Sequence, residues 1–295
     1  MTLWKNYHLA RNLQDALETL AAAQRVHRPA SLVAGGSDLL LDMQQGRHEP
    51  VDTLVDITAV PEMTVLEIRQ ERLYIGASVP LNRIVDDPLV SQHAQAVQEA
   101  CGLIGGPQVR NTATLGGNVG HALPAADGAI ALLALDALAE VASLDGRRLV
   151  PLEELFLGPG KSALVPYQEI LLGFSLPLRQ SGQASVHRRV MRPQGVAIAI
   201  LNMAAWLERE GERIVSVRLA IGPAGPKPFR ARGAEQVLQG KPLNAESLEA
   251  VRQRLLAEAH FRTSPHRATA EYRRHLAGVL LAETLTTAFQ RAEQA

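Results

Sequence analysis

Hydrophobic and polar positions follow two different periods along this chain, which predicts a mixture of helices and strands. Apolar residues recur at helical spacing at Leu13 and Leu17, and Asn12 stands where an N-cap is expected. Residues 30–46 predict an apolar strand, a Gly-Gly turn and then a helix, and residues 91–105 predict another helix. Short apolar runs such as TLVDI, RLYIGAS and EILLGFSLPL predict strands.

A change to small, polar residues in the stretch RQSGQAS predicts a domain boundary near Gln180–Gln183. Before it, AEVASLDGRRLVPLEELF predicts two strands joined by a turn at the dipeptide DG. After it, VAIAILNMAAWLERE and RIVSVRLAIG predict paired strands, and three helical segments follow. Strands followed by helices favour an α+β second domain. The predicted domains are 1–179 and 183–290.

The charge balance argues against binding to nucleic acid or to a membrane surface. Lys+Arg equals Asp+Glu at 30 each, so the formal net charge is zero. Two local basic clusters, HRRVMR and EYRRH, are typical of a solvated helix face or a partner contact. The absence of a signal-like start and of an apolar run of about 18 residues favours a soluble, cytoplasmic protein.

The single cysteine, Cys101, excludes an internal disulfide framework and a four-cysteine iron–sulfur site in this chain. A lone cysteine is most often a small buried residue. Metal or disulfide chemistry within the chain is therefore not what the sequence indicates.

Two glycine turns, VAGGSDLL and TLGGNVG, carry the chemistry that the sequence suggests. Each is expected to follow a strand and to open a helix, so that successive backbone N–H groups could surround a pyrophosphate. Both could equally be tight turns only. Neither has the G-x-G-x-x-G or the G-x-x-x-x-G-K-[ST] pattern of the common phosphate loops. Asp127, after a proline turn, is either a helix N-cap or a carboxylate that accepts hydrogen bonds from a ribose or an oriented backbone.

The segment GPQVRNTATLGGNVGHALPAAD resembles the signature of the flavoprotein (medium) subunits of the molybdenum hydroxylases. That family includes xanthine dehydrogenase, carbon monoxide dehydrogenase and the hydroxybenzoyl-CoA reductases. LVAGGSDLLLDM is similar to its first FAD loop, and RTSPHRATAEYRRHLAGVLLAETL is similar to its C-terminal helix region. The resemblance covers essentially the whole chain. It implies an α+β fold, with a two-lobed FAD-binding domain of the vanillyl-alcohol oxidase type followed by a smaller α+β domain.

The resemblance also implies which residues bind the cofactor. In the first loop they are Leu32, Val33, Ala34, Gly35, Gly36, Ser37, Asp38 and Leu39. In the second loop they are Thr114, Leu115, Gly116, Gly117 and Asn118. The remaining positions are Asp127, Ile104 beside the flavin, and Leu171 or Leu172, which would contact the ring through the backbone.

One stretch departs from the family pattern. Arg189 aligns with a lysine that the family often places near the flavin, and Ala197 stands where the family has an aspartate. An arginine can supply positive charge to a reduced, anionic flavin, and the alternative is a plain surface charge. His121 and Cys101 show no mark of covalent attachment, so we expect non-covalent FAD and a structural role for His121.

The implied function is electron transfer without a catalytic side chain. A partner subunit with a molybdopterin site would oxidise the substrate, and a [2Fe–2S] subunit would pass single electrons to FAD. FAD would deliver them to an acceptor such as NAD+, oxygen or a quinone. Such a chain should expose an apolar patch where the iron–sulfur subunit docks. The alternatives are a stand-alone flavin oxidase of the same fold and an interaction protein whose glycine loops are only turns.

Overall fold

The chain folds into two N-terminal lobes and a C-terminal domain, in an α+β arrangement that confirms the predicted fold class. The computed structural model describes residues 2–192 and 198–294. Ala197, singled out from the sequence, lies outside the described residues. Across the described ranges, no helix combines the length and the apolar character needed to cross a membrane.

The first lobe is a small parallel sheet with two helices. Its strands lie in the order β1-β3-β2, and both pairs are parallel. The elements are β1 (Trp4–Leu9), α1 (Leu13–Arg25), β2 (Ala30–Val33), α2 (Leu39–Gln44) and β3 (Val51–Asp56). Helix α1 begins as predicted, because the side chain of Asn12 accepts a hydrogen bond from the backbone N–H of Asp15 at 2.9 Å.

The second lobe has an antiparallel five-stranded sheet whose strand order is β4-β5-β10-β6-β7. Its main strands are β4 (Leu66–Arg69), β5 (Arg72–Gly76), β6 (Leu138–Ser143), β7 (Gly146–Pro151) and β10 (Ile170–Pro177). A small hairpin adds β8 (Phe156–Gly158) and β9 (Lys161–Ser162). Short 3₁₀ turns span Pro61–Met63 and Leu152–Leu155.

The helices of the second lobe lie between β5 and β6. They are α3 (Leu81–Asp86), α4 (Pro88–His93), α5 (Gln95–Leu103), α6 (Pro107–Arg110), α7 (Leu115–Gly120) and α8 (Asp127–Ala134). The single helix predicted over 91–105 is interrupted at Ala94, where the buried side chain sits at a bend between α4 and α5. The prediction of a strand before the second glycine turn is wrong. A short helix lies there instead, and Pro107 stands at its beginning, where proline is favoured.

The C-terminal domain is an antiparallel sheet backed by helices. The strands β11 (Gln183–Val190), β12 (Leu201–Glu210), β13 (Arg213–Gly222) and β14 (Phe229–Arg230) pair in sequence order. The helices are α9 (Arg232–Leu238), α10 (Ala245–Glu258) and α11 (Ala270–Glu293). The predicted pairing of β12 with β13 is confirmed.

This sheet has two different faces, because successive residues of a strand point to opposite sides. Ala204 and Trp206 of β12 join the core of the two lobes, whereas Met203 and Ala205 pack with Leu276 of α11. One face of the sheet therefore covers α5 and α8, and the other carries the C-terminal helices.

Glu99 of α5 links the second lobe to the C-terminal domain through hydrogen bonds. Its carboxylate accepts the backbone N–H of His187 at 2.7 Å and a hydrogen bond from Arg291 at 2.6 Å. Glu99 also lies 3.3 Å from Arg188. Arg188 has a second carboxylate partner, Glu283, which is largely exposed.

We predict that Glu99→Ala lowers the free energy of unfolding by about 1.5–3 kcal/mol, because partly buried charged hydrogen bonds are lost. Glu283→Ala is the matched control and should change it by less than about 0.5 kcal/mol, as an exposed ion pair does. Urea titration followed by circular dichroism measures both. Equal effects of the two substitutions would contradict the role given to Glu99.

Candidate cofactor site

The first glycine turn offers a row of free backbone donors between β2 and α2. Among the described residues, no acceptor bonds the backbone N–H of Gly35, Gly36 or Ser37. Gly36 has φ +67°, a conformation that glycine adopts without strain. Successive N–H groups in such a turn form a concavity suited to an anion. The turn is half-exposed, so a ligand can reach these groups.

Gly35 brings this turn against the segment that leads into the second glycine turn. A Cβ at Gly35 would lie 2.0 Å from the carbonyl oxygen of Thr112 and 2.8 Å from the Cα of Ala113. A side chain of any size would therefore push the two segments apart. This contact explains why glycine is required at residue 35.

The second glycine turn is part of helix α7 rather than a free loop. The Thr114 hydroxyl caps the helix by accepting the N–H of Gly117 at 3.0 Å. Gly116 donates its N–H to Ala77 at 2.9 Å, and a Cβ there would lie 2.5 Å from the Ala77 oxygen. Leu115 and Gly116 are buried, whereas Gly117 is exposed. Gly116 therefore serves packing, and Gly117 is the glycine that a ligand can touch.

Backbone hydrogen bonds connect the second turn to strand β10, where Leu171 and Leu172 lie. The Leu172 carbonyl accepts a hydrogen bond from the N–H of Ala77 at 2.9 Å. The Ala77 carbonyl in turn accepts one from the N–H of Gly116. A bulge between Leu171 and Gly173 leaves Leu172 outside the ladder to β6. The Leu172 carbonyl therefore connects strand β10 to the segment that holds the second glycine turn.

Asp38 and His121 form an ion pair across the two turns. Nδ1 of His121 lies 3.3 Å from the Asp38 carboxylate, and Nε2 lies 3.9 Å from Asp42. The hydrogen bond to Asp38 raises the pKa of His121, although burial opposes this. The same bond lowers the pKa of Asp38. His121 thus has the structural role expected of it, because it joins the beginning of α2 to the end of α7.

Asp127 is the first residue of α8 and is only 5% exposed. Ala126 is the N-cap, so the N-cap interpretation of Asp127 is wrong. The backbone N–H of Gly128 is instead accepted by the side-chain oxygen of Asn118 at 3.1 Å. Asn118 therefore links α7 to α8, and the Asp127 carboxylate is left for other partners.

Those partners come from the C-terminal sheet. Arg189 donates to Asp127 at 2.7 Å, and Asn202 donates to its other carboxylate oxygen at 2.7 Å. Nε2 of the fully buried His187 lies 3.4 Å from the same carboxylate. Burial alone would raise the pKa of Asp127, but His187, Arg189 and Asn202 outweigh it and hold the pKa below its usual value.

Arg189 is not a surface charge, because its side chain is only 5% exposed. Its Nε and the side-chain oxygen of Asn202 are buried without a hydrogen-bond partner in the described structure. Sequence reasoning missed His187 and Asn202. The one available signal was the strict alternation of β11, which places His187 and Arg189 on the same face.

The side chains of the other predicted residues are mostly packed into the protein, so these residues could contact a ligand mainly through their main chain. Val33 is buried in the small core of the first lobe, and Leu39 packs against that core. Leu32 and Ala34 pack against the larger hydrophobic core, which also contains the helices of the second lobe. Ile104 is half-buried at the end of α5. The following turn, with Gly105 at φ +59°, is held by a hydrogen bond from Arg110 to the Gly105 carbonyl at 2.9 Å.

These features fit an FAD. The free donors at residues 35–37 suit a pyrophosphate, and the glycines leave room for its close approach. The buried charged cluster around Asp127 lies at the junction of the lobes with the C-terminal domain. Polar atoms that lack partners there suit the polar edge of a bound molecule.

Comparison with known proteins agrees with this geometry. Residues 3–179 match the FAD binding domain in molybdopterin dehydrogenase, and residues 187–288 match the CO dehydrogenase flavoprotein C-terminal domain. The xanthine dehydrogenase FAD-binding subunit of Escherichia coli O157:H7 is 32% identical over 289 residues, covering 97% of each chain. The nicotine 6-hydroxylase medium subunit of Paenarthrobacter nicotinovorans is 31% identical over 285 residues, also covering 97% of each.

A solved structure shows the same fold over the full length. The carbon monoxide dehydrogenase of Hydrogenophaga pseudoflava superposes with a TM-score of 0.92 at 26% identity, covering 99% of both chains. The chain belongs to the FAD-binding subunits of the xanthine dehydrogenase family of molybdenum hydroxylases. The resemblance stated from the sequence is confirmed, and FAD is the cofactor of the family domain.

We predict that the Asp38–His121 pair stabilises the fold at low pH more than at high pH. The raised pKa of His121 means that its contribution is present below about pH 6.5 and is lost as pH rises through the folded-state pKa. Asp38 stays ionised throughout, because its pKa is lowered.

Urea unfolding of the wild type and His121→Gln at pH 5.5 and 8.5 measures this. At pH 5.5, but not at pH 8.5, the free energy of unfolding of the wild type should exceed that of the variant by up to about 0.5 kcal/mol. The difference is small because both side chains are partly exposed and their charges are screened. The gain should disappear in 1 M salt, where the Debye length falls to about 3 Å. A larger gain at pH 8.5 would contradict the assignment.

Proposed function

We propose that this chain is the FAD-binding electron-transfer subunit of a multi-subunit molybdenum hydroxylase or dehydrogenase. It would pass electrons between [2Fe–2S] clusters of a partner and an external acceptor such as NAD+, oxygen or a quinone. The observation that carries the proposal is the row of unpaired N–H groups at residues 35–37, set against the second glycine turn. The relatives are themselves named as FAD-binding and medium subunits, which supports it.

We assign FAD binding to residues 1–179 and the C-terminal domain to residues 183–290. A C-terminal domain of the carbon monoxide dehydrogenase flavoprotein type favours a subunit over a stand-alone oxidase. The proposed partners are a [2Fe–2S] small subunit and a molybdopterin large subunit, with the assembly in the cytoplasm.

Each part of the site has a distinct task in this proposal. The N–H groups of Gly35, Gly36 and Ser37 bind the pyrophosphate, and Gly117 lets it approach α7 closely. Thr114 fixes α7 through its capping bond, and the Asp38–His121 pair holds the two turns together. FAD itself supplies the chemistry by exchanging electrons one or two at a time.

The buried cluster positions charge rather than moving a proton. Asp127 is held ionised by Arg189 and Asn202, and the C-terminal sheet cannot separate from α8 without breaking both contacts. The positive charge of Arg189 favours a neighbouring group that becomes more negative. Leu103 and Val109, which are 37% and 40% exposed, flank the Ile104 turn and are our candidates for the contact with the iron–sulfur subunit.

Gly35→Ala should weaken FAD binding at least tenfold, because the new methyl group would meet the Thr112 carbonyl and displace the donors of the first turn. Gly225→Ala is the matched control, since Gly225 lies between β13 and β14 and a Cβ there would have no neighbour nearer than 3.9 Å. Its dissociation constant should stay within about twofold of the wild type. Flavin fluorescence gives the affinities, and circular dichroism checks that both variants fold. Unchanged affinity in folded Gly35→Ala would remove the first turn from the site.

Arg189→Gln should shift the flavin midpoint potential at least about 30 mV more negative, which corresponds to about 1.4 kcal/mol for two electrons. The cause is the loss of a buried positive charge that favours reduced flavin. Arg188→Gln is the control, because the neighbouring Arg188 pairs with Glu99 and Glu283 rather than with Asp127. Spectroelectrochemical titration gives both potentials. A potential unchanged in Arg189→Gln, or shifted equally by Arg188→Gln, would contradict a flavin-side role for Arg189.

A further inference from the structure

The basic cluster EYRRH contains an arginine that does not behave as a solvated side chain. Arg273, in the first turn of α11, is only 2% exposed. Its neighbour Arg274 is exposed and donates to the Leu256 carbonyl at 3.2 Å. The interpretation of this cluster as a solvated helix face is therefore wrong for Arg273.

The buried guanidinium of Arg273 lacks partners. Its Nε and Nη1 make no hydrogen bond, and none of the carboxylates in the described ranges lies within ion-pair distance of it. Other buried arginines of this domain are paired, as Arg230 is with Glu235 at 2.8 Å and Arg209 is with Glu293 at 3.5 Å. An unpaired buried charge costs several kcal/mol. A bound anion would therefore stabilise the charged side chain of Arg273.

The segment before α11 brings two more arginines to the same place. The Thr263 hydroxyl accepts the backbone N–H of Ala270 at 3.1 Å, so Arg262 lies beside the first turn of the helix. Arg267 follows in a turn closed by a bond from its own N–H to Ser264 at 3.1 Å. Helical side chains lean towards the N-terminus of their helix, so we expect the guanidinium of Arg273 to extend towards this segment.

The electrostatics agree with this placement. Burial lowers the pKa of Arg273, and the positive charges of Arg267 and Arg262 lower it further. Arg262 and Arg267 are exposed and form no ion pair among the described residues. Glu271 is the one acidic residue between positions 262 and 275, against four arginines. The three guanidiniums thus repel one another without a counterion.

We propose that Arg262, Arg267 and Arg273, with the first turn of α11, bind an oxyanion of the phosphate class. The ligand is either free phosphate or the phosphate group of a nucleotide. Guanidinium groups bind phosphate in a bidentate manner, and the N-terminus of a long helix favours negative charge. The site is independent of the proposed flavin site, because α11 packs on the face of β11 and β12 opposite to Asp127.

Thermal unfolding and calorimetric titration of the full chain with inorganic phosphate test this, with chloride at equal ionic strength as the reference. Phosphate should give a saturable calorimetric isotherm, and at one hundred times its Kd it should raise the unfolding midpoint by about 5 °C or more. Arg262→Gln/Arg267→Gln should weaken binding at least tenfold, and Arg274→Gln should stay within about twofold. AMP that binds at least tenfold more tightly than phosphate identifies a nucleotide ligand, and equal affinity identifies free phosphate.

Arg273→Met gives a second test that a purely structural arginine would fail. Without phosphate the variant should unfold at a higher temperature than the wild type, because a buried unpaired charge is gone. Phosphate at one hundred times its Kd should reduce this advantage of the variant, since it stabilises the wild type more. An advantage of the variant that is equal in both buffers, or no saturable phosphate effect on the wild type, would overturn the proposal. FAD binding, measured on the same samples, reports the flavin site separately.

Discussion

The structure depends on one buried carboxylate, that of Asp127. Its helix belongs to the second lobe, but Arg189, Asn202 and His187, which surround it, all come from the C-terminal sheet. A carboxylate this deeply buried is tolerated only when it is paired. The two domains therefore meet at a fixed point, and a hydrogen bond from Gly128 to Asn118 connects this point to α7. In the proposed function, the packing of the two domains and the binding of the cofactor share one electrostatic requirement.

The second constraint is close approach between backbones. Gly35 touches the Thr112 carbonyl, and Gly116 touches Ala77, so the two glycine turns and strand β10 are held within a few hydrogen bonds of each other. Contacts of this kind leave no room for side chains. The site is therefore built from main-chain donors on a rigid frame, which suits a protein that positions a cofactor and leaves the chemistry to it.

Local patterns in the sequence were sufficient to predict many of the helices, strands and turns of the fold. The Asn12 cap, the hairpin at Asp145-Gly146 and the strand–turn–helix around Gly35 all follow from short-range rules. The partners of Asp127 could not be found in this way, because His187 and Asn202 lie 60 or more residues away and meet it only through tertiary packing. The burial of Arg273 was hidden for the same reason, since its sequence neighbours are exposed.

The most direct test of pyrophosphate binding by the glycine turns is a titration of the purified chain with FAD and, separately, with FMN, followed by flavin fluorescence. We predict saturable binding of FAD and at least tenfold weaker binding of FMN, which lacks the AMP half of FAD and therefore the pyrophosphate. Equal affinity for the two flavins, or no binding of either by a folded chain, would mean that the glycine turns do not bind a pyrophosphate.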